Sequence, residues 1–281
     1  MAQNINKIKA RMGSITGAYK VTSAMKLVSS VKLKTWRYRM LANKEYASAI
    51  EEASEQVFKY IDGVSSPLLE DNEKATKNLY VIVTSSLGLC GSYNSNIFKL
   101  TDETVTPEDE VILLGKKGFV HYKGGEFTIL DKFQDYMNAR DRGAIRRMIH
   151  FLVDEYTKGN YKQIHLIYTS YKNPITFIPK DVHFLPLSLN RKDNYVGYPP
   201  LLEPSKQKLF DTLTPFYLEN KLYSYLLESE VCEQASRSNA MENATNNAQE
   251  LLNQLQIEFA KARQGAITQE LIEIVGAAGS L

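Results

Sequence analysis

Residues 241–266 read MENATNNAQELLNQLQIEFAKARQGA, and the apolar spacing within them decides the fold. Met241, Ala244, Ala248, Leu251, Leu255, Phe259, Ala262 and Ala266 recur at intervals of three and four, the repeat that keeps side chains on one helix face. Alanine at four of these positions predicts a close approach by whatever packs there. Two successive intervals of four, Leu251 to Leu255 and Leu255 to Phe259, interrupt a strict heptad and predict a weakly supercoiled rod. The helical pattern runs from about Pro215 to Gly276.

The partner is expected at the other end of the chain. Ile5, Ile8, Met12, Ile15 and Tyr19, then Val21, Met25 and Val28, show the same alternation. All nine prolines fall from Pro67 to Pro215, leaving both ends free of the residue that breaks a helix interior at a cost of roughly 3 kcal/mol. The N-terminal pattern continues to about Tyr60, which at ~1.5 Å per residue is a rod of roughly 80 Å and implies a coiled coil. Residues 1–44 contain no Asp or Glu but carry Lys7, Lys9, Arg11, Lys20, Lys26 and further basic residues. The C-terminal stretch leans acidic, through residues such as Glu228, Glu242, Glu250 and Glu258. Opposite charge favours pairing of the two ends over self-pairing.

The middle of the chain has another character. Leu79 to Thr84 is a continuous run of β-branched and aromatic residues, as expected of a strand buried on both faces. Val111–Gly115, Gln163–Tyr168 and Val182–Leu187 are further strand candidates. Ile145, Met148, Ile149, Leu152 and Tyr156 form an amphipathic helix ending at Gly159. Strands alternating with helices indicate a mostly parallel, Rossmann-like α/β domain. The expected plan is α/β: a long antiparallel coiled coil of N- and C-terminal helices (1–62 and 206–281) with a central α/β domain at 76–200. Arg191 to Pro204 reads as a loop.

Composition excludes several classes of function. The net charge is +2, and no apolar run reaches the ~18–20 residues that span a bilayer. No secretory signal or transit peptide is expected. Cys90 and Cys232 are too few for a disulfide framework. The four histidines, His121, His150, His165 and His183, lack metal-type spacing. The turn Gly88–Ser92 after a buried strand could cradle a phosphate, but it matches no nucleotide fingerprint, and a tight turn needing glycine is the plainer reading. Gly115-Lys116-Lys117-Gly118 fails the phosphate-loop pattern, with Glu110 where glycine belongs and Lys117 where Ser or Thr belongs. The basic N-terminal helix lacks interleaved aromatic residues, so it fits a partner-facing rod better than a nucleic-acid interface.

The two ends together carry a resemblance. IKARM (8–12), KVTSAMKLVS (20–29), RSNAMENATNNA (237–248) and the closing ARQGAITQELIEIV (262–275) are similar to the gamma subunit of the F-type rotary ATP synthase, as is the central GLCG (88–91) with Asn94 and Asn96. The resemblance implies a non-catalytic central shaft, one copy per complex, with no cofactor or metal of its own. It implies a ring of three alpha and three beta subunits as partner, with an epsilon subunit and a membrane c-ring in a conventional complex and no nucleic acid. The location it implies is the cytoplasmic face of the cell membrane, peripheral, within a complex of ATP synthesis and proton transport. By motif position, Arg263, Gln264, Thr268 and Glu270 would be polar contacts to the ring, with Met25 and Arg237 on the facing part of the shaft. Leu271 to Val275 would form the tip in an apolar bearing. Where the family usually has Asp-Arg before GLCG, this chain has Ser86 and Leu87. That departure leaves open a diverged F1-like motor not coupled to proton transport. A coiled-coil scaffold and an α/β enzyme using the Gly88 turn are the rival readings.

Overall fold

The computed structural model describes residues 2–61, 63–131, 133, 141–173, 176–188 and 201–278, with the side chains of 2–4 and 276–278 left out. Most of the expected loop at Arg191–Pro204 lies outside the described residues. The chain runs α1 (Ala2–Phe58), a 3-10 turn (Pro67–Leu69), β1 (Leu79–Val83), α2 (Tyr93–Thr104), β2 (Glu110–Leu114), α3 (Lys116–Tyr122), β3 (Thr128–Ile129), α4 (Arg142–Thr157), β4 (Ile164–Tyr171), β5 (Phe177–Leu185) and α5 (Lys206–Ala278). Two long terminal helices and a central α/β sheet are thus present. The residues form two units, Met1–Val31 with Arg237–Leu281, and Lys32–Ser236; α1 and α5 contribute to both.

In the larger unit the strand order is β3-β2-β1-β4-β5. β1 is parallel to β2 and β4, β2 is parallel to β3, and β5 runs antiparallel on the edge. Every position of β1 is buried, because both faces of the sheet are covered. Tyr80 and Ile82 join Val111, Leu113 and Ile167 in a core with Tyr93 and Ile97 of α2. Leu79, Val81 and Val83 join Ile112, Leu114 and Leu166 in a second core with α4 and with residues of the two long helices, including Trp36, Phe58, Phe210 and Leu222.

The structure adds elements that apolar runs did not reveal. β5 begins at Phe177, and its first half alternates as an exposed edge strand, so only the buried end near Phe184 and Leu185 reads as an apolar run. α3 grows out of Gly115-Lys116-Lys117-Gly118. Gly115 has φ +114°, and a Cβ there would collide with the carbonyl of Thr84. Thr84 Oγ1 accepts from the Gly118 amide at 3.0 Å, so the two glycines let α3 start hard against the end of β1. α5 begins at Lys206, before Pro215, and continues through it. Phe210, Thr214 and Leu218 are fully buried around this proline, and packing outweighs the lost backbone donor.

In the smaller unit the helices run antiparallel. Lys26 Nζ donates to Glu242 Oε1 at 2.7 Å, and the hydroxyls of Thr22 and Thr245 lie 3.0 Å apart. The same register sets Ile15 level with Leu252, Met12 with Leu255 and Ile8 with Phe259. Burial corrects the sequence reading of this seam at three places. Leu252, 9 % exposed, is the inward residue, while Leu251 is 42 % exposed. Val21 and Val28 face outward at 58 % and 56 %, while Thr22, Lys26 and Ser29 take the seam. The inward row on α5 is therefore Met241, Thr245, Ala248, Leu252, Leu255, Phe259, Ala262 and Ala266, spaced four and three without interruption. A strict heptad replaces the interrupted one on α5, because Leu252 rather than Leu251 lies inward and Thr245, beside the equally half-buried Ala244, meets Thr22.

Candidate partner-binding surface

Each helix of the smaller unit buries one row and leaves the others outward. On α1, the outward rows include Val21, Leu27, Val28 and Val31, all large, apolar and exposed. The sequence reading missed Leu27 and Val31 and placed Val21 and Val28 inward; the signal that separates them is the unbroken three-and-four spacing through Thr22, Lys26 and Ser29.

On α5 the inward row fades after Ala266, and residues 267–275 are exposed throughout. Here the named candidates come together. Gln264, Thr268, Leu271 and Val275 share one stripe, at spacings of four, three and four, and Arg263, Ile267, Glu270 and Ile274 share the adjoining one. Arg263, Gln264 and Thr268 line a shallow concavity of about 370 Å³ with Phe259 and Ile267. The Thr268 hydroxyl donates to the Gln264 carbonyl at 2.9 Å, which leaves its lone pairs outward. Leu271 and Val275 are 56 % and 69 % exposed. Along these two stripes the polar Arg263, Gln264, Thr268 and Glu270 give way to the apolar Leu271, Ile274 and Val275 towards the C-terminus.

Two named residues stand apart. Met25 is half-buried on α1. Arg237 is 4 % exposed and engaged within the chain, and it lies about 39 Å along α5 from Arg263 by helical rise. In the free chain, Arg237 has an internal environment rather than an outward one.

The turn after β1 was the other candidate. Order reverses at β1, since β2 lies on one side and β4 on the other, and this is where ligands enter open α/β sheets. In this chain α5 fills the place. Ser229 Oγ accepts from the Thr169 amide at 3.2 Å, Ser236 Oγ donates to the Cys90 carbonyl at 2.7 Å, and Cys232 between them is fully buried. The turn itself is closed by Asn94, which accepts from the Ser85 amide at 3.0 Å and donates to Ser85 Oγ at 2.7 Å. Burial pushes the Cys232 thiol up, aided by the charge of Glu228, which disfavours the thiolate. Among the described residues no cluster of His, Cys, Asp or Glu could hold a metal ion.

A family model described as ATP synthase matches residues 4–281. An ATP synthase gamma chain of Mycoplasma capricolum is 33 % identical over 279 residues, covering 99 % of both chains. The chain belongs to the ATP synthase gamma-chain family. A second gamma chain, from Mycoplasma mobile, is 36 % identical and covers 96 % of each chain. Among solved structures, a chain of the Euglena gracilis mitochondrial ATP synthase OSCP/F1/c-ring assembly superposes with a TM-score of 0.70 at 18 % identity, covering 100 % of this chain and 95 % of that one, which is a likeness of fold.

Proposed function

We propose that the chain is the central rotor shaft of an F-type ATP synthase or ATPase, coupling rotation to conformational change in the catalytic sites of three beta subunits. It is a non-catalytic subunit, present once within an alpha3beta3 ring. Residues 1–62 and 206–281 supply the shaft helices and 76–200 the α/β domain. The observation that carries this reading is the exposed end of α5 in a gamma-chain family member, where Arg263, Gln264, Thr268 and Glu270 give way to Leu271 and Val275 on adjoining stripes. Such a surface binds differently to beta subunits in different states, and the coupling is reciprocal, since whatever shifts nucleotide affinity must also shift the preferred angle of the shaft.

The proposed partners of the α/β domain are an epsilon subunit and a membrane c-ring, with the complex held at the cytoplasmic face of the cell membrane. Among the described residues no helix is long and apolar enough to cross a membrane. Leu87 and Leu89 are exposed on the turn where the family usually carries Asp-Arg before GLCG. That uncharged turn favours, as a second reading, a diverged F1-like motor with different partners at this domain.

The test is reconstitution with the alpha and beta subunits of the same cell. The chain is expected to join the ring once and to stimulate ATP turnover. Replacing Arg263 and Gln264 together by Ala should impair coupling or assembly more than truncation from Ile274, because contacts are spread along the helix. Failure to join the ring would overturn the shaft reading. Unaltered turnover in the double variant would remove these two residues from the contact set.

A further inference from the structure

Within residues 32–236, a crevice of about 650 Å³ opens between the Met40–Glu51 stretch of α1, the Tyr217–Glu228 stretch of α5 and the β4–β5 pair. Small-molecule sites occupy roughly 300–1,000 Å³ and combine apolar walls with a few converging polar groups. Met40, Ile50 and Leu227 supply apolar wall here, with the rings of Tyr217 and Tyr225.

The charge around the crevice is lopsided. Lysines come from every wall: Lys44 on α1, Lys172 just beyond β4, Lys180 on β5 and Lys221 on α5. The facing acids are Glu51 and Glu228. Lys221 Nζ is engaged with the Tyr217 hydroxyl at 3.2 Å, and Lys180 stands near Glu228. Burial holds the Glu228 carboxyl above the ordinary carboxylate range, against a hydrogen bond from Tyr168 and the Lys180 charge.

A second, independent observation comes from Asn220, which lines the crevice and is 3 % exposed. Its Nδ2 donates to the Phe216 carbonyl at 2.9 Å, but its Oδ1 is buried without a donor. A buried acceptor left unmade carries its full desolvation cost, so it is a group awaiting a partner.

We propose that this crevice binds a small amphiphilic anion, its acidic head among Lys44, Lys172 and Lys180, its apolar body against Met40, Ile50 and Leu227, and a hydrogen-bond donor on Asn220 Oδ1. A simple inorganic anion would leave the apolar walls and Asn220 unused. An uncharged hydrophobe would leave the lysines unused. The site shares no residue with the α5 rows named above and stands whether or not the shaft reading holds.

The experiment is calorimetric titration of the full chain with 6-amino-2-naphthoate, which joins a carboxylate, a flat apolar body and an amine donor, accompanied by NMR of the tyrosine rings. One saturable site is expected, with shifted tyrosine resonances and an affinity that falls as salt is raised. The neutral carboxamide of the probe should bind about tenfold more weakly, and 2-naphthoate, lacking the donor, several-fold more weakly. Inorganic phosphate alone should not saturate the site. Lys44→Glu with Lys172→Glu changes two exposed side chains and is expected to keep the fold while weakening the naphthoate about tenfold or more. Equal binding of the carboxamide, indifference to the lysine reversals, or absence of saturation at millimolar probe would each overturn the proposal. Should the double variant fail to fold, salt dependence in the unaltered chain decides the same point.

Discussion

The two units of this chain reach order by different means. In Lys32–Ser236 the sheet is covered on both faces, and β1 has no exposed position. In the unit formed by the chain ends, each helix buries one heptad row, much of it small or polar, and leaves several large apolar residues outward. The first carries its own core. The second has a narrow seam, and its outward valines, leucines and isoleucines are surface kept for something other than the chain itself.

The contrast can be broken at its strongest point first. Ile82 is fully buried between α2 and the sheet, and Ile82→Ala should lower stability by about 2–5 kcal/mol in urea unfolding of the full chain. A loss under about 1 kcal/mol would mean that the larger unit lacks the rigid core described. A neighbouring pair then sharpens the picture of the seam. Leu252→Ala should cost about 2 kcal/mol in the helical signal, whereas Leu251→Ala, one residue away, should stay within about 0.5 kcal/mol. Equal losses would show that the register drawn through Thr22 and Thr245 is wrong. A comparably small effect belongs to the ion pair that helps fix that register. The side chains of Lys26 and Glu242 are 38 % and 49 % exposed at the edge of the seam, so Lys26→Ala should cost less than about 1 kcal/mol and the effect should vanish in high salt. A loss that persists in salt would point instead to packing of the Lys26 stem within the seam.

Much of this architecture is legible in the sequence, because it rests on periodicity and on punctuation. The prolines confined between Pro67 and Pro215, the run at Leu79–Thr84 and the amphipathic pattern ending at Gly159 each have a direct local cause. What was not legible was decided by partners. Hydrophobicity ranks Val21 above Thr22 and does not separate Leu251 from Leu252, yet the seam takes Thr22, which meets Thr245, and Leu252, which lies level with Ile15. β5 was only half visible, since an edge strand alternates and ends where burial begins. Gly115 and Gly118, which already fail the phosphate-loop pattern in sequence, prove to be the clearance that Thr84 requires. Of the candidate surface, the residues from Arg263 to Val275 were named through the family resemblance and spacing groups them into two adjoining stripes, but the enclosure of Arg237 depends on tertiary surroundings that no spacing reports.

The uninterrupted heptad has a mechanical corollary. Two helices held on a seven-residue repeat wind around one another with a left-handed sense. Torque that follows the winding tightens the ropes, and torque against it opens them. A helix pair built in this way should resist turning unequally in the two directions, an inequality set by the spacing of its side chains.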